Sequence, residues 1–282
     1  MSNALTPSTR SNELSDGKTA DADHPVIPFI EGDGVGAEIM GSAQKVVDAA
    51  VTKAYQGKRS IDWVEVYAGK KAQDLTGSQL PEETLAAFKK HHVGLKGPLN
   101  TPVGEGARSL NVAMRRELDL YANLRPVKYY PPAPSPLLHP ERVDAVLFRE
   151  NTEDVYSGVD FEAGSDGARS LLAYLETSSP ENYARIRFPE SSALGLKPIS
   201  REGSERIIRT AIEYALENHR KSVTLLHKGN IMKFTEGGFM KWGYTLAESE
   251  CADRIYSMRR HKKAAAEQGE SAAVQALKTA QS

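Results

Sequence analysis

The spacing of apolar residues changes repeatedly along this chain, and the changes predict alternating strands and helices from Val26 onward. Val26–Ile30 (VIPFI) is a short apolar run closed by the turn-forming string EGDGVG, which reads as a buried strand. The next stretch carries Ile39, Ala43, Val46, Val47 and Ala50 at helical spacing, so a helix is expected up to about Tyr55. Ile61–Ala68 alternates in the manner of a half-buried strand. Pro81 followed by Glu82 and Glu83 marks a helix start, because a proline N–H is not missed there and acids suit the positive end of the dipole. Val93–Leu95 reads as a short strand running into Lys96, and a helix is expected over 108–118 with Leu110, Met114 and Leu118 on one face. A strand near 120–128 follows.

Proline-rich residues 131–136 interrupt the pattern, since proline has no N–H to offer a sheet. Val143–Phe148 and Ser222–Leu226 read as buried strands on either side of an amphipathic helix over 203–219. Such alternation predicts an α/β chain with a largely parallel sheet. From Ala252 the chain is mostly charged residues and alanine with a poor apolar stripe, which reads as a surface helix rather than a core.

Composition narrows the class. A chain of 282 residues with 40% hydrophobic residues suits a soluble protein of about two domains, and a net charge of -1 argues against a general nucleic-acid or membrane-surface binder. No apolar run approaches the ~20 residues of a membrane span. Cys251 is the single cysteine, so no intrachain disulfide forms, which suits a reducing, cytoplasmic setting. Residues 1–24 have no apolar segment and contain acids, so they read as a mobile tail rather than a signal or transit peptide.

Candidate chemistry collects at the carboxyl ends of strands, where open α/β sheets bind ligands. The strand candidates around Val93, Val143 and Ser222 run into Lys96, Arg149 and Lys228. Each cation alone reads as solvated surface; three together suggest an anion site. Arg108, Asn111 and Arg115 share a helix face at i, i+3 and i+7, and Arg125 points away from Leu124 on the following strand. Guanidinium forks match carboxylates bidentately, so a substrate with several carboxylates would draw several arginines from separate elements. A solvated face with acidic partners is the plain alternative. The string GDGVG is not G-x-G-x-x-G and reads as a tight turn, not a Rossmann fingerprint. The seven histidines show no metal-ligand spacing.

Four strings are far more specific: PFIEGDGVGAEI, LKGPLNTPVGEGARSLNVAMRRELDLYANLRPVKYY, FRENTEDVYSGV and LLHKGNIMKFTEGGF. Together they resemble the isocitrate/isopropylmalate dehydrogenase family in its bacterial NADP-dependent isocitrate dehydrogenase form, almost unbroken from Val26 to about Glu250. The resemblance implies oxidative decarboxylation of isocitrate to 2-oxoglutarate, with NADP and Mg²⁺ or Mn²⁺ as cofactors. It implies isocitrate binding by Ser109, Asn111, Arg115, Arg125 and Arg149, catalytic roles for Tyr156 and Lys228, and cofactor contacts from Thr101 and Asn230. Ser109 is also implied as a regulatory serine open to a kinase.

The implied fold is the family's own α/β architecture, with residues 25–120 beginning a large domain and 121–282 forming a small domain. Residues 154–200 resemble a clasp that interlocks two subunits of a homodimer, in which Lys228 would serve the partner's site, and 251–282 resemble a variable tail. The family's metal-binding acids belong to segments beyond Ser282. The resemblance therefore implies that these 282 residues alone do not turn over. A non-catalytic fragment or subunit of a split enzyme, and a related dehydrogenase of another 2-hydroxy acid, stand as alternatives.

Overall fold

The computed structural model describes residues 23–100 and 109–281, and the chain divides into two compact units on either side of the Asp119–Leu120 bond. In the first unit the elements run β1 (Val26–Ile30), α1 (Gly36–Tyr55), β2 (Asp62–Glu65), α2 (Lys70–Thr76), α3 (Glu82–His91), β3 (Leu95–Lys96) and α4 (Leu110–Glu117). The strands form a parallel sheet in the order β2-β1-β3, so the apolar run VIPFI is its central strand. Pro81 stands one position earlier than expected, as the N-cap of α3, and acids at the start and Lys89, Lys90 and His91 at the end complement the helix dipole. Ile30, Ala68, Leu99 and Met114 form the buried core, with Leu110 and Leu118 of the predicted α4 face packed against it.

Two glycines let the loops at the carboxyl end of this sheet meet. Gly32 has φ +95°, and a Cβ there would lie 2.4 Å from the Pro98 carbonyl oxygen. A Cβ on Gly97 would lie 1.9 Å from the Glu31 carbonyl oxygen, so only a backbone without side chains closes the gap. The Asp33 N–H donates to Pro98 O at 2.7 Å and Gly97 N–H to Ile30 O at 2.7 Å.

The second unit contains β4 (Ala122–Lys128), β5 (Asp144–Glu150), β6 (Val159–Phe161), α5 (Asp166–Ser178), α6 (Pro180–Tyr183), β7 (Leu194–Leu196), α7 (Arg201–Glu217), α8 (Glu236–Glu250), α9 (Met258–Gln268) and α10 (Glu270–Gln281). Its core is the apolar stripe of α7, Ile207, Ile208 and Ile212, against Leu246 and Ala247 of α8 and Cys251. Each fully buried isoleucine contributes roughly 1.5–3 kcal/mol. Phe148 of β5 packs on this cluster and meets Tyr214 edge to face, with ring centroids 5.3 Å apart. No helix among the described residues is long and apolar enough to cross a membrane.

Three expectations need correction. The sheet is parallel only in the first unit: β4 pairs with β5, and β6 with β7, antiparallel. The connection from β4 to β5 is a proline-rich loop without a crossover helix, and a parallel pair requires such a crossover. Ser222–Leu226 forms no strand among the described residues, and Leu226 is 89% exposed. The stretch after Ala252 is more than a solvated helix. It folds as the pair α9 and α10, with Ala273 and His261 buried.

Candidate active site

In the first unit the predicted residues gather at the carboxyl end of the sheet. Asp33 organises this edge: one carboxylate oxygen accepts Lys70 N–H at 3.0 Å and the other Asn100 N–H at 2.9 Å. Asn111, half-buried on α4, donates to Leu99 O at 3.3 Å, which fixes α4 to the same loop. Ser109 is the N-cap residue of α4 by position, yet its hydroxyl makes no capping bond; its carbonyl accepts Val112 and Ala113 N–H at 3.0 Å. Lys96 is exposed as a whole residue, while its ammonium is partly buried and donates to Gly97 O at 2.6 Å. That burial, followed by the charge of Arg115, pushes the Lys96 pKa below the ordinary lysine value, against the opposing pull of Asp33. Thr101 and Arg108 lie outside the described residues.

In the second unit the antiparallel register decides which side chains meet. Asn123 stands opposite Arg149 and Arg125 opposite Leu147, so Asn123, Arg125 and Arg149 share one face of β4–β5. Phe148 points the other way, into the core. Arg125 Nε donates to Asn123 Oδ1 at 3.2 Å, leaving the rest of its fork exposed. The Arg149 guanidinium lies over the Tyr156 ring, 4.8 Å from its centroid.

Tyr156 is held by the turn that follows β5. Glu150 accepts Thr152 N–H at 2.8 Å and Glu153 N–H at 2.9 Å, and Glu153 in turn accepts Ser200 N–H at 2.8 Å. Lys228 and Asn230 stand exposed on a separate turn before α8, whose first bond is Ile231 N–H to Lys228 O at 3.1 Å. Among the described residues no hydrogen bond or ion pair joins these two to Arg125, Arg149 or Tyr156. The structure thus brings together Arg125, Arg149 and Tyr156, and Ser109, Asn111 and Arg115 stand in one short segment of the other unit.

Residues 26–263 match the sequence profile of the isocitrate/isopropylmalate dehydrogenases. The chain belongs to that family. Among curated members it is 51% identical over 257 residues to isocitrate dehydrogenase [NADP] of Staphylococcus epidermidis, covering 91% of this chain and 60% of that one. It is 54% identical over 246 residues to isocitrate dehydrogenase [NADP] of Streptococcus salivarius, covering 87% and 62%. The fold matches a crystal structure of isocitrate dehydrogenase from Methylococcus capsulatus with a TM-score of 0.66 and 33% identity, over 88% of this chain and 64% of that one. This member of the family spans about 60% of the length of the curated relatives it matches.

Membership of this family agrees with the reading of GDGVG as a tight turn, in which a Cβ on Gly32 or Gly36 would clash with the Pro98 or Glu31 carbonyl oxygen. Sequence reasoning missed three supporting residues: Asp33, Lys197 and Glu236. Asp33 had one signal, an acid between two glycines at a strand end. Among the described residues no three His, Cys, Asp or Glu side chains converge on a point that would hold a metal ion, so they do not by themselves fit the expected Mg²⁺ or Mn²⁺.

Proposed function

We propose that this chain carries the isocitrate-binding and proton-transfer residues of an enzyme that oxidatively decarboxylates isocitrate to 2-oxoglutarate with reduction of NADP. The observation that carries the proposal is the open face of β4–β5, where Arg125 and Arg149 stand side by side with Tyr156 beneath Arg149. The names of relatives more than half identical support the substrate and NADP.

In this reading Arg125 and Arg149 bind isocitrate carboxylates through their forks, and Ser109, Asn111 and Arg115 are further isocitrate-binding residues. Asn230 and Thr101 contact the cofactor, whose nicotinamide accepts the hydride when bound. Lys228 takes the hydroxyl proton as the hydride leaves the adjoining carbon. Loss of CO₂ then leaves an enolate, and the Tyr156 hydroxyl protonates its carbon.

Phosphorylation of Ser109 would add about -1.5 to -2 charges at the position where substrate carboxylates arrive, and so block them directly. Residues 154–200 serve as the contact with a second copy of the chain, in keeping with Tyr174 and Phe188, which stand exposed there. The setting is cytoplasmic.

The test is titration of the purified protein with isocitrate and with isopropylmalate, followed calorimetrically, alongside isocitrate-dependent NADPH formation. Isocitrate binding that is lost in Arg125→Met supports the proposal. Preference for isopropylmalate assigns the site to the related 2-hydroxy acid, and no binding of either removes the anion site.

A further inference from the structure

Tyr156 and Lys228 stand on two different turns, and one ammonium group touches both. Lys197 directly follows β7. Its Nζ donates to Glu236 Oε1 at 2.5 Å, lies 3.4 Å from Asp154 Oδ1, and reaches Met232 Sδ at 3.4 Å. Asp154 opens the 3-10 turn Asp154–Ser157 that carries Tyr156. Glu236 opens α8, and its second oxygen accepts the Lys228 N–H at 2.8 Å. Met232 closes the Lys228 turn, since its N–H donates to Lys228 O at 3.0 Å. A continuous path therefore runs from the Tyr156 turn through Asp154, Lys197 and Glu236 to the backbone of Lys228.

Three further observations separate this path from an ordinary surface ion pair. Its side chains are largely shielded, with 24% of Lys197, 16% of Glu236 and 34% of Asp154 exposed, so solvent screens them less than an open pair. Asp154 has φ +58°, a left-handed conformation that aspartate tolerates better than most residues, and its own carboxylate accepts Val155 N–H at 2.8 Å. The residue after Lys197 adds a further anchor, since Asp154 N–H donates to Pro198 O at 2.9 Å. Finally, both charges persist. Burial works against the Lys197 ammonium, but the bond from Glu236 and the charge of Asp154 outweigh it and hold its pKa above the ordinary value. The bond from Lys197, then the Lys228 N–H, hold the Glu236 carboxyl below its usual range.

We propose that Lys197 is a positioning residue that sets Tyr156 and Lys228 jointly, by fastening the two turns that present them through Asp154 and Glu236. Its consequence for catalysis rests on the proton-transfer roles proposed above; the mechanical tie does not.

The experiment compares the parent protein with Lys197→Met, which keeps the stem and loses the ammonium, and Lys197→Arg, which keeps the charge. Backbone amide exchange is read at residues 154–157 and 228–232, with the α7 core as an internal standard. Lys197→Met is expected to speed exchange at both turns by roughly tenfold or more, the effect of losing a charged hydrogen bond. The α7 amides stay at parent rates and Lys197→Arg restores both turns. With isocitrate and NADP, kcat falls by a similar factor in Lys197→Met while KM stays within a few-fold, again restored by arginine.

Loosening of one turn only, or of neither, overturns the proposal, as does loosening of both with parent kcat. Where none of the three proteins turns over, the exchange measurement decides the tie alone, and parent exchange at either turn in Lys197→Met overturns it. If Lys197→Met does not fold, Asp154→Asn and Glu236→Gln replace it. Each is expected to loosen the opposite turn, and unchanged exchange there in both variants overturns the proposal.

Discussion

Arg149 and Tyr156 are stacked, the guanidinium carbon 4.8 Å from the ring centroid, although seven positions separate them in sequence. The stack holds a planar cation over the face of a phenol, an attraction that orients both toward the open side of β4–β5. An Arg149 substitution therefore acts twice, on anion binding and on the placement of the Tyr156 ring. Arg149→Met is expected to weaken isocitrate binding by about one to two powers of ten, the worth of a charge-assisted pair at roughly 1.5–3 kcal/mol. Arg149→Lys should recover only part of this, because lysine lacks the planar fork. Calorimetric titration of both variants checks it; parent affinity in Arg149→Met would refute the assignment.

The proton movers should show a different signature. In an active preparation, Tyr156→Phe and Lys228→Met are each expected to lower kcat by about 10²–10⁴-fold while changing isocitrate affinity little. Steady-state kinetics beside equilibrium binding separates the two effects. Parent kcat in either variant would return that residue to an ordinary surface role.

At Ser109 the charge matters more than the hydroxyl. Because no capping bond to α4 depends on the side chain, Ser109→Ala should keep the fold and retain reduced isocitrate binding. Ser109→Asp places a negative charge among the proposed isocitrate-binding residues and is expected to abolish binding. Titration of the two variants under matched conditions tests this, and undiminished binding in Ser109→Asp would separate Ser109 from the substrate.

The loop contact in the first unit should tolerate no side chain. Gly97→Ala would drive a Cβ to 1.9 Å from the Glu31 carbonyl oxygen, so the two loops must separate. A loss of about 2–4 kcal/mol is expected, with Asn111 displaced because it bonds to Leu99 O in the same loop. Denaturant unfolding measures the loss, and a midpoint equal to the parent's would show that the loops do not meet.

Acid should release the Glu236 tie. The Glu236 carboxyl is held below its usual range in the folded chain by Lys197 and the Lys228 N–H. A depressed carboxylate stabilises the fold above its unfolded pKa, about 4.3, and that contribution fades as pH falls through the folded value. Glu236→Gln is therefore expected to unfold at lower temperature than the parent near neutrality, with the gap closing on acidification below about pH 4. Melting curves across this range decide it; a gap independent of pH would assign the loss to packing.

The sequence by itself determined the local elements and the family. The run VIPFI, the face of Leu110, Met114 and Leu118, and the apolar stripe of α7 carry their periods within a few turns of chain, so burial follows from spacing alone. The four long strings carry the family in their order, and Arg125 and Arg149 were legible as cations on strands. Tertiary structure decided what meets. Arg125 and Arg149 share a face because the β4–β5 register is antiparallel, a property of pairing that neither strand encodes alone. Ser222–Leu226 has the composition of a strand yet pairs with none of the described strands, so its propensity goes unused. Gly32 meets Pro98, and Lys197 reaches Asp154 and Glu236, across 43 and 39 residues of chain, distances at which periodicity holds no information and only packing selects partners.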